Sequence, residues 1–280
     1  MSLRKLIDGA LYALLWLCGG IAVAFLLLIL IYVISRGIPN INWTFLSTVY
    51  KPGLDQTGIR EIIVGTLAMI GLTLLIAVPV GVLAAIYMAE YAKKGRILTT
   101  IRFCVESLAG IPSILYGLFG YTFFVVQLKF GFSLIASALT LSIMVLPVII
   151  RSTEEALFTV PDSYREGSLA LGASKLATLF RVVLPSAIPG ILSAIILSMG
   201  RVMGETAAVY YTAGTLARTP ASITSSTRSL AVHLYLLVKE GLNTGEAFAT
   251  ATILIVIIVG LNALADFIAK RLSRKLTGGN

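Results

Sequence analysis

Six stretches of this chain run for 19 to 28 residues without a charged side chain, and that feature decides which solvent the fold is built for. Asp8 and Arg36 bracket 27 such residues, Glu61 and Glu90 bracket 28, Glu106 and Lys129 bracket 22, and Lys129 and Arg151 bracket 21. Arg181 to Arg201 and Glu246 to Asp266 bracket 19 each. About 20 apolar residues in an α-helix cross a hydrocarbon layer ~30 Å thick. The pattern therefore predicts an all-α membrane protein with six transmembrane helices, roughly 10–35, 63–88, 101–127, 133–152, 186–211 and 247–268. The weak alternation over ~10 residues that marks a β-barrel strand is not seen. Composition points the same way. Of 280 residues, 58% are hydrophobic and 12% charged, against about 25% charged in a soluble domain. A water-soluble core of this size would not hide so much apolar surface.

The first span follows Arg4 and Lys5, as a signal peptide would. Its apolar run exceeds the usual ~7–15 residues and no small-residue cleavage site follows promptly, so it reads as a retained helix. In a six-span arrangement 14 of the 22 basic residues fall on one side. Excess Lys and Arg marks the cytoplasmic face, which places both termini and the segment 153–185 there. Attraction to anionic lipid accounts for the net charge of +9, so no nucleic-acid partner is expected. Cys18 and Cys104 lie in or beside apolar runs and offer neither a metal site nor a clear disulfide. His233 is the single histidine, which excludes a multi-histidine metal site.

The loop 38–61 carries Trp43, Phe45 and Tyr50 beside the span ends, where aromatic rings sit at headgroup depth, and is punctuated by Pro52, Gly53 and Gly58. Pro79, Pro112 and Pro147 are expected to bend their spans. Leu230 to Val238, inside the long polar loop 214–246, is apolar enough to lie in the interface or re-enter. No repeat or long linker divides the chain, and residues 1–280 read as one membrane domain.

Two regions carry chemistry. From Arg165 the chain reads REGSLALGASKLATLFRVVLPSAIPG. Ser163 to Ala170 and Ser174 to Val183 are expected to form short helices with Gly172 at the turn. Leu169, Leu171, Leu176 and Phe180 then form an apolar ridge, suited either to a groove on a soluble partner or to the lipid surface.

The second region is SMGRVMGETAAVYYTAG in the fifth span. An arginine at mid-depth costs about 2.5–3.5 kcal/mol on insertion scales. Arg201 and Glu205 are four apart, so on one continuous helix they share a face and pair. Gly200 and Gly204 leave space beside them, and Thr206 and Tyr210 add hydroxyls. The pair serves either as a structural salt bridge or as an anion site. A guanidinium binds tetrahedral oxyanions bidentately and stays charged. A carboxylate beside it suits an anion that still carries a proton: phosphate at neutral pH has at least one P–OH donor and sulfate has none. Glu106 in the third span either lines the cavity or pairs with Arg102. Glu90 reads as a boundary residue.

Four stretches resemble one family. GTLAMIGLTLLIAVPVGVLAAIYMAEYA from Gly65, ESLAGIPSILYGLFG from Glu106 and RVMGETA from Arg201 are similar to phosphate permeases. The segment from Arg165 resembles the EAA loop of ABC importer permeases at Glu166, Gly172, Ala173, Phe180, Leu184 and Pro185. It departs at Gly167 and Ser168, where the family pattern has two alanines. The chain thus resembles the PstA-type permease subunit of phosphate ABC importers. The resemblance implies a type I ABC importer permease fold in a bacterial or archaeal plasma (inner) membrane, with inorganic phosphate as cargo. It implies a heterodimer with a sister permease, two ATP-binding subunits and an extracytoplasmic phosphate-binding protein. Arg201 and Glu205 would serve transport, with Thr206, Tyr210 and Glu106 on the pathway. Glu166, Leu169, Gly172, Ala173 and Phe180 would meet the motor. The chain has no G-x-x-x-x-G-K-[ST] loop, so ATP and Mg²⁺ are assigned to a partner, no cofactor to this chain, and no enzymatic activity of its own. The rivals are a permease for another oxyanion such as molybdate or tungstate, the PstC-type sister subunit, an intramembrane enzyme and a passive channel.

Overall fold

The structure, a computed structural model, describes residues 3–51, 56–241 and 243–276. The expected turn residues Pro52 and Gly53 lie outside them. The chain is helical apart from a hairpin of two-residue strands, β1 (Tyr50–Lys51) and β2 (Gln56–Thr57). The long helices are α1 (Leu3–Gly37), α3 (Arg60–Ile86), α6 (Leu134–Phe158), α9 (Leu184–Met203) and α12 (Thr244–Leu276). Shorter ones are α2 (Trp43–Ser47), α4 (Arg96–Ala109), α5 (Ser113–Gly120), α7 (Asp162–Ala170), α8 (Lys175–Thr178), α10 (Ala207–Thr212) and α11 (Leu230–Glu240). Wider π-turns continue α3 to Tyr91, α5 to Gln127 and α8 to Val183.

Helix α6 is the hub, with α3 and α9 against it and α12 against α9. Lipid gives no hydrophobic drive between helices, so close packing and interhelical hydrogen bonds must hold the bundle. Ser142 on α6 donates to the Thr73 carbonyl of α3 at 3.1 Å. A Cβ on Gly81 would sit 2.6 Å from the Ile149 side chain, so the helices touch there only because no side chain intervenes. Helix α1 is exposed along nearly its whole length, as lipid permits for a helix apolar all round. Its C-terminal part runs antiparallel to the start of α12, where Thr252 approaches the Val33 carbonyl.

Five of the six expected spans contain long apolar helices. The third does not run straight: α4 and α5 meet at 97° across Gly110–Pro112. Proline lacks the amide hydrogen and fixes its own φ, so a new helix begins after it and the old one stops before it. The bends expected at Pro79 and Pro147 do not break their helices, since α3 and α6 run on through them. The fifth span also breaks, after Met203.

At the end of the bundle opposite α7, helix α11 packs between α12 and α3, and the Leu230 amide donates to the Thr66 hydroxyl at 2.9 Å. His233, expected alone in a loop, is 1% exposed, with its ring edge-on to Tyr50 at 4.8 Å. The Arg228 guanidinium lies over the ring of the same tyrosine, 4.5 Å from its centre. Burial first, and the Arg228 charge second, push the His233 imidazole down to about 3.

Candidate substrate pathway and motor-docking loop

The break in the fifth span changes how its charges are used. Gly204 ends α9, its amide donating to the Gly200 carbonyl at 3.3 Å. Glu205 and Thr206 follow before α10 begins. Pairing at a four-residue spacing requires an uninterrupted helix through both positions, so the expected Arg201–Glu205 ion pair does not form. Each charge instead serves its own helix end. Arg201 stands in the last turn of α9, where a cation complements the helix dipole. The Glu205 carboxylate is buried and accepts the Ala208 amide at 3.1 Å, at the start of α10. Arg201 is half-buried and has no ion-pair partner among the described residues.

The two breaks face one another. A Cβ on Gly117 of α5 would lie 3.0 Å from the Ala208 Cα, so α5 and α10 cross backbone to backbone. Tyr116 donates to the Leu108 carbonyl across the α4–α5 bend at 2.7 Å, and its hydroxyl lies within electrostatic reach of Arg201. Interrupted helices at membrane depth persist only where protein buries them or where they border a water-filled cavity. Thr206 and Tyr210 line a cavity of about 550 Å³ with Tyr211, Tyr235 and Lys239. Tyr210 and Tyr211 also border a second one of about 740 Å³. Arg201 and Glu205 are not among the residues that line either cavity.

Glu106 lies elsewhere. It takes a hydrogen bond from Arg151 at 2.9 Å, and Arg151 also reaches Glu155 at 3.3 Å. Of the two alternatives for Glu106, the pair with Arg102 does not form, because Arg102 turns across to Glu154 on α6. These side chains line a cavity of about 240 Å³ between α4 and α6. Two signs of charge alternate around it, each satisfied by a neighbour.

The segment from Arg165 folds as two short helices. Gly172 turns the chain at φ +84, a left-handed value that glycine adopts without strain. Ser174 caps the second helix by accepting the Ala177 amide at 3.2 Å. Leu169, Leu171, Leu176 and Phe180 all point outward, and Leu171 is 91% exposed. Glu166 is exposed beside them and Ala173 half-buried. Ser168, one of the departures from the alanine pattern, hydrogen-bonds Thr178 at 2.9 Å and ties α7 to α8. Arg165, which carried no assignment from sequence, makes more polar contacts than any other side chain in this segment.

The family described as "Binding-protein-dependent transport system inner membrane component" matches residues 77–278. The "Probable ABC transporter permease protein YqgI" of Bacillus subtilis is 34% identical over 290 aligned positions, covering 98% of this chain and 99% of that one. The "Phosphate transport system permease protein PstA 2" of Mycobacterium bovis is 38% identical over 211 positions, covering 75% and 69%. Among solved structures, a chain of a bacterial alginate ABC transporter superposes with a TM-score of 0.66 over 99% of both chains at 18% identity. A chain of the MetNI methionine ABC transporter superposes with 0.55 at 25% identity, covering 76% of this chain and 93% of that one.

Proposed function

The chain belongs to the binding-protein-dependent transport system inner membrane component family, as a multi-pass permease of an ABC importer, and we propose that the substrate it passes is inorganic phosphate. The observation that carries the proposal is Arg201: a guanidinium with no ion-pair partner among the described residues, at a helix break inside a membrane bundle. Even a half-buried cation left open in this way is costly at membrane depth unless something anionic visits it. The PstA name of several relatives supports phosphate in particular.

In this reading a sister permease faces the α5 and α10 side, and a phosphate-binding protein delivers cargo at the end bearing α11. Phosphate passes the hydroxyls of Thr206 and Tyr210, meets Arg201, and hands a P–OH hydrogen bond to Glu205, one of whose oxygens already holds the Ala208 amide. Glu106 and Arg151 mark the exit, where neighbouring carboxylates neutralise the arginine and the anion is not retained. Two ATP-binding subunits, carrying ATP and Mg²⁺, dock on Glu166, Leu169, Gly172, Ala173 and Phe180 at the cytoplasmic face of a plasma membrane.

Arg201→Ala tests the reading. In the reconstituted importer, phosphate uptake should fall by at least about 100-fold, the scale of a lost bidentate charged contact. Co-purification of the other subunits should be unchanged. Uptake within two-fold of the parent would refute an anion role for this side chain.

A further inference from the structure

The Arg165 guanidinium sits where three elements converge, and its contacts do not face the motor. Two of its nitrogens donate to Glu90 Oε1, from Nη2 at 2.8 Å and from Nε at 3.1 Å. Nη2 also donates to the Leu157 carbonyl at 2.8 Å, and Nη1 to the Val160 carbonyl at 2.7 Å. Nη1 further holds Asp162 in the first turn of α7 at 3.2 Å. Glu90 lies in the π-turn that ends α3, and Leu157 and Val160 lie at and just beyond the end of α6. One side chain of the docking segment thus grips the ends of both central spans.

The grip is sheltered. The Arg165 and Glu90 side chains are 18% and 14% exposed, while those of the Arg151–Glu106 pair are 60% and 68% exposed. Beneath it, Ile86 of α3, Ala156 and Leu157 of α6, and Leu179, Val183 and Ala187 beyond α8 form one apolar cluster. Lys175 adds a second strut by donating to the Glu90 carbonyl at 3.0 Å. Outward, the ridge of Leu169, Leu171, Leu176 and Phe180 is left for a partner.

We propose that Arg165 is the positioning residue that converts movement of the docking segment into movement of α3 and α6, with Glu90 as its partner. The proposal rests on reading α7 and α8 as the motor-docking segment. A push on the exposed ridge reaches α7, and without the guanidinium joint α7 could slide against the apolar cluster, which has no direction of its own. The directional, charge-assisted bonds of one arginine to a carboxylate and two helix-end carbonyls leave no such freedom. A lysine, with a compact ammonium on a flexible stem, cannot make both contacts at once.

The test is made on the whole reconstituted importer by measuring phosphate uptake and ATP hydrolysis together. Glu90→Ala and Arg165→Gln should leave hydrolysis within about two-fold while uptake per ATP falls about ten-fold or more, within the range of ordinary coupling energies. Arg165→Lys should fall between these variants and the parent. In a chain with Cys18 and Cys104 replaced by serine, Glu90→Cys with Arg165→Cys should be uncoupled until a short thiol-reactive cross-linker joins them, and coupled afterwards. Parallel loss of uptake and hydrolysis that the cross-linker does not restore would overturn the proposal, as would an unchanged ratio in every variant. The docking reading fails separately: Leu171→Asp should strip the ATP-binding subunits from the complex, and their retention would sink that premise whatever the ratio does.

Discussion

The charges of this permease fall into two groups that behave oppositely. At the α7 end Arg165 meets Glu90, Arg102 meets Glu154, and Arg151 meets Glu106 and Glu155. Along the fifth span Arg201 and Glu205, four residues apart, do not meet at all. The first group joins helices that are 45 to 75 residues apart in sequence, apart from the local Arg151–Glu155 contact. The second group caps the loose ends of one broken helix. Paired charges in a low-dielectric setting fix geometry, and an unpaired one is an offer to a mobile ion. In the proposed reading the paired group works as a mechanical joint, with Arg151 and Glu106 also at the exit, and the unpaired group as a substrate station.

The sharpest way to break that contrast is to remove a joint. Glu154 is buried, at 8% exposure, and Arg102 is its counter-charge. Arg102→Ala leaves a carboxylate without a partner and should destabilise the protein by about 3 kcal/mol. Thermal unfolding in detergent reads this, and the KM for phosphate should stay put in the fraction that remains folded. A changed KM with unchanged stability would erase the distinction between the groups.

The His233 site at the opposite end gives the next largest effect. Its folded value of about 3 lies below the ordinary 6.5. The unfolded chain therefore binds the proton first as pH drops. The stabilisation is whole above about pH 6.5 and is lost progressively toward pH 3. Between pH 7.5 and pH 5 the loss should approach about 2 kcal/mol, and His233→Gln should flatten that part of the profile. Identical pH profiles for parent and variant would show that the imidazole is not held neutral.

Glu205→Gln sharpens the substrate side. Glutamine keeps an oxygen to accept the Ala208 amide, so α10 retains its cap and the charge alone is lost. Discrimination of phosphate against sulfate should weaken about ten-fold, the scale of one charge-assisted hydrogen bond. Competition uptake with both anions measures it, and unchanged selectivity would remove the proton-acceptor role.

The spans were legible because lipid leaves apolar runs nowhere else to go, so a stretch such as 62–89 declares itself by length alone. The turn at Gly172 and the cap at Ser174 were legible because both are local devices, one needing positive φ and one a hydroxyl three residues before an amide. The bend at Pro112 was expected, although nothing set it apart from Pro79 and Pro147, whose helices run on; the break after Met203 was not. Gly204 follows Arg201 and directly precedes Glu205, and whether a glycine ends a helix or packs within one depends on its neighbours in space. Gly81 packs within its helix and Gly204 ends one. Reading the fifth span as continuous led directly to the ion pair that does not exist. Arg165 was invisible for a different reason: its partner Glu90 is 75 residues away, and no spacing rule links them.

Glu106→Gln carries the smallest expected effect and the finest distinction. The Glu106 carboxylate and the Arg151 guanidinium are both more than half exposed, and Arg151 keeps Glu155 when Glu106 is neutralised. Exposed pairs of this kind contribute little to stability, so stability should scarcely move. If the exit works by neutralising its arginine, removing one of two acids leaves Arg151 partly available to a passing anion. Uptake should then slow by less than about three-fold, and the slowing should fade as salt screens the exposed charge. A large, salt-independent loss would instead place Glu106 beside Arg201 in the substrate station, and the division between joint and station would have to be redrawn through α4.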